Sequence, residues 1–194
     1  MIKKFLINLL IRWLDFFLSL IGLIVLLPLF IIIVVIGWFD TNSPLFFQKR
    51  LGRNQHAFLL VKFRTMALNT NSMGTHLVNK SAITTLGYFL RRTKLDELPQ
   101  LWNVLRGDMS FVGPRPCLLN QKKLIAERKK RGVFKVRPGI TGLAQIQNIN
   151  MSTPTILSKT DSKMIKKMNL FYYCYYILFT VFIVFRKKPG LYNL

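Results

Sequence analysis

The longest uncharged stretch of the chain covers residues 16–39 and reads FFLSLIGLIVLLPLFIIIVVIGWF. A helix that crosses the hydrocarbon core of a bilayer needs about 20 apolar residues, so this stretch is long enough to span a membrane. Pro28 lies near its middle, where proline removes one backbone hydrogen bond and favours a kink or break. The stretch therefore predicts an N-terminal membrane anchor that is interrupted at Pro28.

Basic residues lie on both sides of this anchor. They are Lys3, Lys4 and Arg12 before it, and Lys49, Arg50 and Arg53 after it. Because cationic flanks favour the cytoplasmic side, cations at both ends give a spanning helix no clear orientation. Two arrangements remain open: a kinked helix that spans the bilayer, and a helix that bends at Pro28 and leaves by the face it entered. In the second, each arm has about a dozen residues, roughly 18 Å, which is too short to cross alone.

The composition combines high charge with high hydrophobicity. Among 194 residues, Lys and Arg number 29 and Asp and Glu number 7, so the formal net charge is +22. Hydrophobic residues make up 51% of the chain, which excludes a disordered basic tail. A nucleic-acid binder would leave this apolar half unexplained, and no nucleic-acid partner is expected. A one-domain protein on the cytoplasmic face of a membrane, facing anionic lipids, explains both properties.

A second apolar stretch covers residues 170–185 and reads LFYYCYYILFTVFIVF. Basic residues bracket it, namely Lys163, Lys166, Lys167, Arg186, Lys187 and Lys188. The stretch is short for a spanning helix, and tyrosine rings favour positions where one end of the ring meets water. We therefore expect an aromatic helix that lies in or dips into the interface, with a spanning helix as the alternative. An aromatic helix of the protein core is a further alternative, and the basic residues on both sides weigh against it.

The region between the two apolar stretches has the pattern of a small α+β domain. Residues 45–50 and 57–63 predict a β-hairpin around a Gly/Asn turn. A polar loop is predicted at 67–81. Helices are predicted at 85–92, 95–105 and 120–131, and rigid turns at 111–116 and 137–142.

Asp96 and Glu97 are the one adjoining pair among the seven acidic residues. Arg91, Arg92 and Lys94 precede them closely and would keep a carboxylate ionised, as a nucleophile or a metal ligand. Two adjacent carboxylates suit Mg²⁺ bridged to phosphate oxygens, since His56 and His76 are isolated and the two cysteines have no metal spacing. A structural alternative is a loose capping box, in which the acids stabilise the start of a helix.

Four cations stand beside turns rich in glycine or proline: Lys62, Arg64, Arg115 and Arg137. Backbone N–H groups in such turns can face an anion, and guanidinium groups bind diphosphates through paired hydrogen bonds. These cations are therefore candidate phosphate-binding residues. The alternative is that basic residues near a membrane serve headgroup attraction, as the cluster at 122–131 would.

Three segments occur in a fixed order: KFRTM at 62–66, LRRTKLDELPQLWNVLRGDMSFVGPRP at 90–116 and RPGITGLAQ at 137–145. In this order they resemble the bacterial sugar transferase family. The resemblance is narrower to the small monotopic polyprenyl-phosphate phosphoglycosyl transferases, and it extends over residues 15–185. The middle segment is long enough to be highly specific.

The resemblance implies a mostly helical α+β fold at the cytoplasmic face of the cell inner membrane. A re-entrant membrane hairpin would occupy residues 1–43. A compact cytosolic catalytic domain at 44–194 would carry the β-hairpin and amphipathic helices at the interface. A Ser-Pro pair commonly breaks the membrane helix in this family, whereas Leu27 and Pro28 stand here, so the serine is missing.

The resemblance also implies a two-step reaction between a UDP-sugar and a polyprenyl phosphate, expected to be undecaprenyl phosphate. Asp96 would attack the β-phosphorus, release UMP and hold the phosphosugar until the polyprenyl phosphate displaces it. Glu97, with Asp96, resembles a Mg²⁺-binding pair. Positions that resemble substrate-binding residues are Lys62, Arg91 and Arg115 for the phosphates, and Arg137, Pro138, Gly139, Thr141 and Gly142 around the nucleotide-sugar pocket.

Two segments depart from the family pattern. Gln147, Asn148 and Ile149 stand where an Asn-Gly-Arg run is frequent, and Lys163–Ile165 precede Tyr173 where tyrosines and a second aspartate are usual. These departures affect the expected sugar and nucleotide contacts. Since the acid pair is intact, we expect an active enzyme that starts a lipid-linked glycan such as capsule or O-antigen. The alternative is a non-catalytic basic scaffold on the membrane surface that recruits glycan-assembly partners; the identity of the sugar and homodimer formation stay open.

Overall fold

The computed structural model describes residues 2–68 and 82–186. Most of the predicted polar loop at 67–81, with His76, lies outside the described residues, as do Lys187 and Lys188. The elements are α1 (Ile2–Val25), α2 (Leu27–Thr41), β1 (Leu45–Leu51), β2 (Ala57–Phe63), α3 (Thr85–Thr93), α4 (Gln100–Arg106), β3 (Ser110–Val112), α5 (Lys122–Lys130), β4 (Gly139–Thr141), α6 (Leu143–Ile146), α7 (Pro154–Lys167) and α8 (Leu170–Arg186). The described residues form a mostly helical α+β fold with two small sheets, as the sequence predicts.

The apolar N-terminal segment forms two helices. α1 ends at Val25 and α2 begins at Leu27, so the helix is interrupted at Leu26, two residues before Pro28. Pro28 has no N–H to donate to the Ile24 carbonyl, which removes one hydrogen bond at this point. The predicted interruption is therefore confirmed. Among the described helices, Leu6–Val25 is the one stretch long and apolar enough to cross a membrane by length and composition.

Both arms of this interrupted segment pack against the rest of the chain. Arg12 of α1 donates hydrogen bonds to the carbonyls of Val104 and Leu105 in the last turn of α4, each at 2.7 Å. In α2, Ile33 is buried in a cluster with Phe63 of β2 and Leu90 of α3. The two arms thus contact neighbouring elements of one body, while the apolar side chains around the break are exposed: Ile24, Val25 and Leu27.

The predicted hairpin is confirmed. β1 and β2 pair antiparallel, from Leu45 opposite Phe63 to Leu51 opposite Ala57. Asn103 of α4 holds β2 from outside the sheet, because its side-chain amide donates to the Leu59 carbonyl (2.7 Å) and accepts from the Val61 N–H (3.0 Å). These bonds fix the end of β2, where Lys62 lies, against α4.

The predicted helix at 95–105 is wrong in its first turns. Residues Leu95–Glu97 form a 3₁₀ turn, and α4 begins only at Gln100, directly after Pro99. A continuous α-helix would direct the ring of Pro99 at the Leu95 carbonyl and leave that carbonyl without its hydrogen bond. The proline therefore delays the helix and leaves the acid pair on a separate turn.

The segments predicted as two rigid turns, 111–116 and 137–142, each contain strand residues instead. β3 and β4 pair in parallel, with Ser110 opposite Gly139 and Val112 opposite Thr141. The approach is close enough that a Cβ atom added at Gly139 would lie 2.0 Å from the Gly113 nitrogen. Glycine at these positions permits a backbone contact that the sequence pattern had suggested only as a turn.

Candidate active site

Asp96 and Glu97 lie on the 3₁₀ turn between α3 and α4. α3 ends at Thr93, and Lys94 follows with a left-handed φ of 62°, which turns the chain before the acids. Asp96 is buried, with 9% of its surface exposed. The capping-box interpretation predicted that these acids begin a helix; they do begin a helical turn, but one of only three residues.

Glu97 is bound by two cations from distant parts of the chain. Its Oε1 atom accepts hydrogen bonds from Lys62 Nζ at 2.8 Å and from Arg115 Nη2 at 2.6 Å. Lys62 comes from β2, and Arg115 follows β3. Burial alone would raise the pKa of Glu97, but Arg115, Lys62 and Lys94 outweigh it and hold the pKa well below its usual range. Glu97 is therefore an ionised anchor for two cations.

Asp96 has a different environment from its neighbour. Its Oδ1 atom is buried and has no hydrogen-bond partner among the described residues. Burial raises the pKa of Asp96, and the charge of Glu97 raises it further, against the opposing effect of Lys62, Lys94 and Arg115. A carboxylate with raised basicity and an uncommitted oxygen is suited to act as a nucleophile or to bind a cation.

Arg91 interacts with this cluster, whereas Arg64, the sequence neighbour of Thr65, binds elsewhere. Arg91 Nε donates to Thr65 Oγ1 at 2.9 Å, and burial lowers its pKa while the charge of Asp96 opposes that change. Arg64 instead holds the chain before β1, through the carbonyls of Ser43 (2.8 Å) and Leu45 (3.2 Å). The structure thus brings together Lys62, Arg115, Asp96 and Glu97, with Arg91 beside them. Arg64 instead binds backbone carbonyls.

The residues at 137–142 pack beside the segment that carries Arg115. Arg137 Nε donates to the Gly107 carbonyl at 2.8 Å, which closes the end of α4. The Pro138 carbonyl accepts from the Ser110 N–H, and the Gly139 N–H donates to the Pro114 carbonyl. Thr141 is buried and its hydroxyl bonds Thr180 of α8, while Gly142 packs on the Gly113 carbonyl. These residues contact the Gly113–Pro116 segment, and none of their hydrogen bonds to described residues goes to Asp96 or Glu97.

Three side chains that the sequence analysis did not select hold the segment around Arg115. Each donates a hydrogen bond to a backbone carbonyl. Gln145 binds that of Gly113 (3.1 Å), Arg128 that of Arg115 (2.7 Å) and Arg50 that of Pro116 (3.1 Å). Burial and, to a smaller extent, the charge of the nearby Arg115 together lower the pKa of Arg50 to about 10. Gln145 ends the RPGITGLAQ motif, whereas no motif marks Arg50 or Arg128, because each comes from a different element and acts on the backbone.

The acid pair meets the minimal requirement of a Mg²⁺ site. No group of three or more His, Cys, Asp or Glu side chains is gathered anywhere in the described ranges. Mg²⁺ nevertheless binds through one or two carboxylates when substrate phosphates and water complete its shell. The buried Oδ1 atom of Asp96 is uncommitted, whereas Oε1 of Glu97 already faces two cations. The donor set therefore fits a metal that arrives with a phosphate.

Comparison with known proteins places these residues in a wider context. The sequence model of the family described as bacterial sugar transferase matches residues 6–187. A UDP-galactose-lipid carrier transferase of Erwinia amylovora is 34% identical over 187 residues, which cover 86% of this chain and 38% of that protein. A UDP-glucose:undecaprenyl-phosphate glucose-1-phosphate transferase of Xanthomonas campestris is 40% identical over 151 residues, covering 73% of this chain and 31% of that protein.

A shorter relative matches over most of its own length. An exopolysaccharide production protein of Rhizobium leguminosarum is 37% identical over 153 residues, which cover 73% of this chain and 76% of that protein. By contrast, the matches cover 38%, 54% and 33% of the first three curated relatives. This chain therefore spans only part of most of the proteins it resembles.

Proposed function

Since the chain belongs to the bacterial sugar transferase family, we propose that it transfers a sugar phosphate from a UDP-sugar to undecaprenyl phosphate. The names of two relatives supply the donor class and the acceptor, and a third relative is named for exopolysaccharide production. The reaction would begin the assembly of a lipid-linked glycan. The observation that carries the proposal is the uncommitted, buried oxygen of Asp96 beside a Glu97 that binds two cations.

In the first step, a carboxylate oxygen of Asp96 attacks the β-phosphorus of the donor. A bond forms between Asp96 and that phosphorus, and the bond to the bridging oxygen breaks, so UMP leaves with the electron pair. The phosphosugar stays on Asp96 as an acyl phosphate. Burial supports this role, because it raises the basicity of Asp96 and limits the access of water to the covalent adduct.

In the second step, a phosphate oxygen of undecaprenyl phosphate attacks the same phosphorus. The bond to Asp96 breaks, the carboxylate is restored, and the product leaves as a lipid-diphosphate-linked sugar. Covalent catalysis divides the meeting of two bulky anions into two separate encounters. Neither step consumes a further reactant.

Lys62 and Arg115 allow an anionic nucleophile to meet an anionic substrate. Both cations are fixed on Glu97, so their positions are set before the substrate arrives. Preorganised charge of this kind stabilises the negative charge that develops on the phosphoryl oxygens. The charge of Asp96 acts on Arg91, and we propose Arg91 as a further phosphate-binding residue.

We propose that Mg²⁺ binds to Asp96 and Glu97 together with the donor. The ion would supply charge neutralisation at the phosphoryl group. Removal of divalent cations with EDTA should therefore abolish UMP release, and added Mg²⁺ should restore it. The assay measures UMP release by purified protein with donor alone. Full activity in EDTA would show that the cations of the protein suffice without a metal.

We also propose that the chain is attached to the cytoplasmic face of the inner membrane by a re-entrant hairpin. The interruption at Leu26 and Pro28 and the contacts of both arms with one body support this arrangement. Two arms that enter and leave by the same face would explain basic residues at both ends. The arms are longer than the dozen residues expected from the sequence, since α1 has 24 residues and α2 has 15. Anionic lipids of that leaflet would be the membrane partner.

The decisive experiment for the activity is the variant Asp96→Asn, assayed in detergent or native discs with UDP-sugars, Mg²⁺ and polyprenyl phosphate. An amide cannot form the acyl phosphate, so we expect at least a thousandfold loss of UMP release, roughly the scale seen on removal of a nucleophile. Mass spectrometry of wild-type protein with donor alone should show a phosphosugar on residue 96.

The matched control is Asp40→Asn, which makes the same chemical change on an exposed aspartate of α2. This control should keep wild-type turnover. Undiminished turnover in Asp96→Asn would remove Asp96 as the nucleophile. The absence of UMP release from wild-type protein with every UDP-sugar tested would favour the alternative of a basic membrane-surface scaffold.

A further inference from the structure

A shallow groove of about 370 Å³ lies between the end of α5 and the second half of α7. It is separate from the acid pair. One serine and five cationic side chains line it: Arg131, Lys159, Ser162, Lys163, Lys166 and Lys167. The reaction proposed above assigns no role to any of them.

The groove concentrates positive charge without a carboxylate in its lining. Arg131 pairs with Glu127 one turn before it on the chain, but none of the four lysines forms an ion pair with a described carboxylate. Asp161 of α7 faces the protein interior, where it binds Arg128. The lysines are left to solvent or to a ligand.

The spacing of these lysines is unfavourable for an isolated helix. Lys159 and Lys163 are four residues apart, as are Lys163 and Lys167, and Lys163 and Lys166 are three apart. Side chains at these spacings are neighbours on a helix surface, and like charges there destabilise the helix. A bound anion would offset the repulsion between the lysines, because one phosphate could interact with several ammonium groups.

The surroundings of the groove indicate which anion it would meet. α7 ends at Lys167, and α8 begins three residues later at Leu170. α8 exposes large apolar side chains, with Phe171 73% and Leu178 68% exposed. Lysines beside such a surface can extend along it and place their ammonium groups at the level of lipid headgroups.

We propose that this groove binds the headgroup phosphate of an anionic phospholipid. This proposal rests on the proposed membrane attachment and adds a defined lipid site to it. The sequence alone predicts only a general attraction of these basic residues to anionic lipids. Occupancy by such a lipid would hold α7 and the start of α8 at the membrane surface. Two interactions would then connect α5 to α7: the lipid at the protein surface and the buried Arg128–Asp161 ion pair.

The experiment compares two triple variants with equal charge change in the full-length protein. Lys159→Gln/Lys163→Gln/Lys166→Gln removes three charges from the groove. Lys122→Gln/Lys123→Gln/Lys129→Gln removes three from exposed positions on α5 outside the groove. Each protein, in micelles of an uncharged detergent, is titrated with water-soluble dioctanoyl phosphatidylglycerol, and binding is measured by isothermal titration calorimetry.

We expect wild-type protein to bind this lipid saturably and the groove variant to bind it at least tenfold more weakly, since three of the ammonium groups that would contact the phosphate are removed. The α5 variant should stay close to wild type. Equal weakening of both variants would show general attraction and overturn the site, as would non-saturable binding by wild-type protein.

Two competition experiments distinguish binding of a lipid headgroup from binding of a soluble phosphate. Dioctanoyl phosphatidylcholine should not compete, and neither inorganic diphosphate nor UDP should displace phosphatidylglycerol at equal concentration. Displacement by either soluble anion would overturn the lipid assignment and favour a nucleotide or free phosphate. Asp96→Asn should lose UMP release while it retains lipid affinity, so failure of the activity and failure of the lipid site are distinguishable.

Discussion

Asp96 and Glu97 are neighbours in the sequence, yet their carboxylates have different partners. Two cations bind one oxygen of Glu97, and none binds the buried Oδ1 atom of Asp96. The pKa of Glu97 is lowered well below its usual range, whereas burial raises that of Asp96. Environments that separate two carboxylates in this way commonly assign them different roles. We therefore propose Glu97 as the positioning group and Asp96 as the reacting group.

At the residue scale we predict the effect of Glu97→Gln. The amide would leave Lys62 and Arg115 without their shared carboxylate, so the variant should lose activity at least about a hundredfold through misplaced cations. It should also be less stable by on the order of 2 kcal/mol, because Lys62, with a side chain only 17% exposed, loses its counter-charge, whereas Arg115 is 38% exposed and stays partly solvated. UMP release and thermal unfolding in detergent measure the two effects.

The control for that variant is Glu127→Gln, which breaks the pair with Arg131 one turn along α5. Such pairs contribute only about 0.3–0.5 kcal/mol, so the control should behave as wild type. Wild-type kinetics in Glu97→Gln would contradict the positioning role of Glu97.

At the scale of elements, the proposed re-entrant attachment to the membrane depends on the break between α1 and α2. The first arm contacts α4 through Arg12 and Gly22, and the second contacts β2 and α3 through Ile33. Since the missing N–H of Pro28 maintains the break, restoring it should favour a continuous helix.

The prediction at this scale concerns Pro28→Ala. In wild-type cells, a tag at Met1 and a label near Arg50 should both report the cytoplasmic side. With alanine at position 28 the straightened helix should place them on opposite sides in a substantial fraction of molecules. Leu27→Ala is the matched control, because it changes the neighbouring side chain and keeps the proline. Opposite sides in wild-type protein would contradict the re-entrant arrangement.

At the scale of the whole molecule, two buried polar clusters join distant parts of the chain. Asp15 of α1 accepts hydrogen bonds from Ser110 Oγ (3.1 Å), the Phe111 N–H (3.0 Å) and the Tyr173 hydroxyl, which connects α1, β3 and α8. Arg128 of α5 binds Asp161 of α7 and the Arg115 carbonyl, each at 2.7 Å. The first cluster joins the N-terminal helix to the body, and the second joins two helices to the candidate site.

The second cluster gives a prediction that separates stability from positioning. Asp161→Asn should lower the free energy of unfolding by about 3–5 kcal/mol, because Arg128 would remain buried without its counter-charge. The apolar double variant Arg128→Met/Asp161→Leu should recover much of that stability, since burying two apolar side chains removes the desolvation penalty.

The double variant should nevertheless be less active than wild type, because it lacks the hydrogen bond from Arg128 to the Arg115 carbonyl. Thermal unfolding and the kcat and KM for UMP release measure the two properties. Recovery of wild-type kcat together with stability would show that the pair has no positioning role.

The sequence by itself determined the parts of this protein that local physics controls. The apolar run with Pro28 predicted an interrupted helix, two short runs around a Gly/Asn turn predicted the hairpin, and Asp96 beside Glu97 marked the turn of the candidate site. Each depends on turn residues, on a missing N–H or on the chemistry of adjacent side chains, which the order of residues contains directly. The three ordered motifs also indicated the family to which the chain belongs.

Only the tertiary structure decided which distant groups meet. The pairing of β3 with β4 joins segments about 30 residues apart through close glycine contacts. Neither segment has the alternation of apolar and polar residues that would predict a strand. Lys62 and Arg115 meet on Glu97 because β2 and the end of β3 are packed around α4. Arg50, Arg128 and Gln145 act on backbone carbonyls, and such contacts depend on where the chain folds back rather than on any local residue pattern.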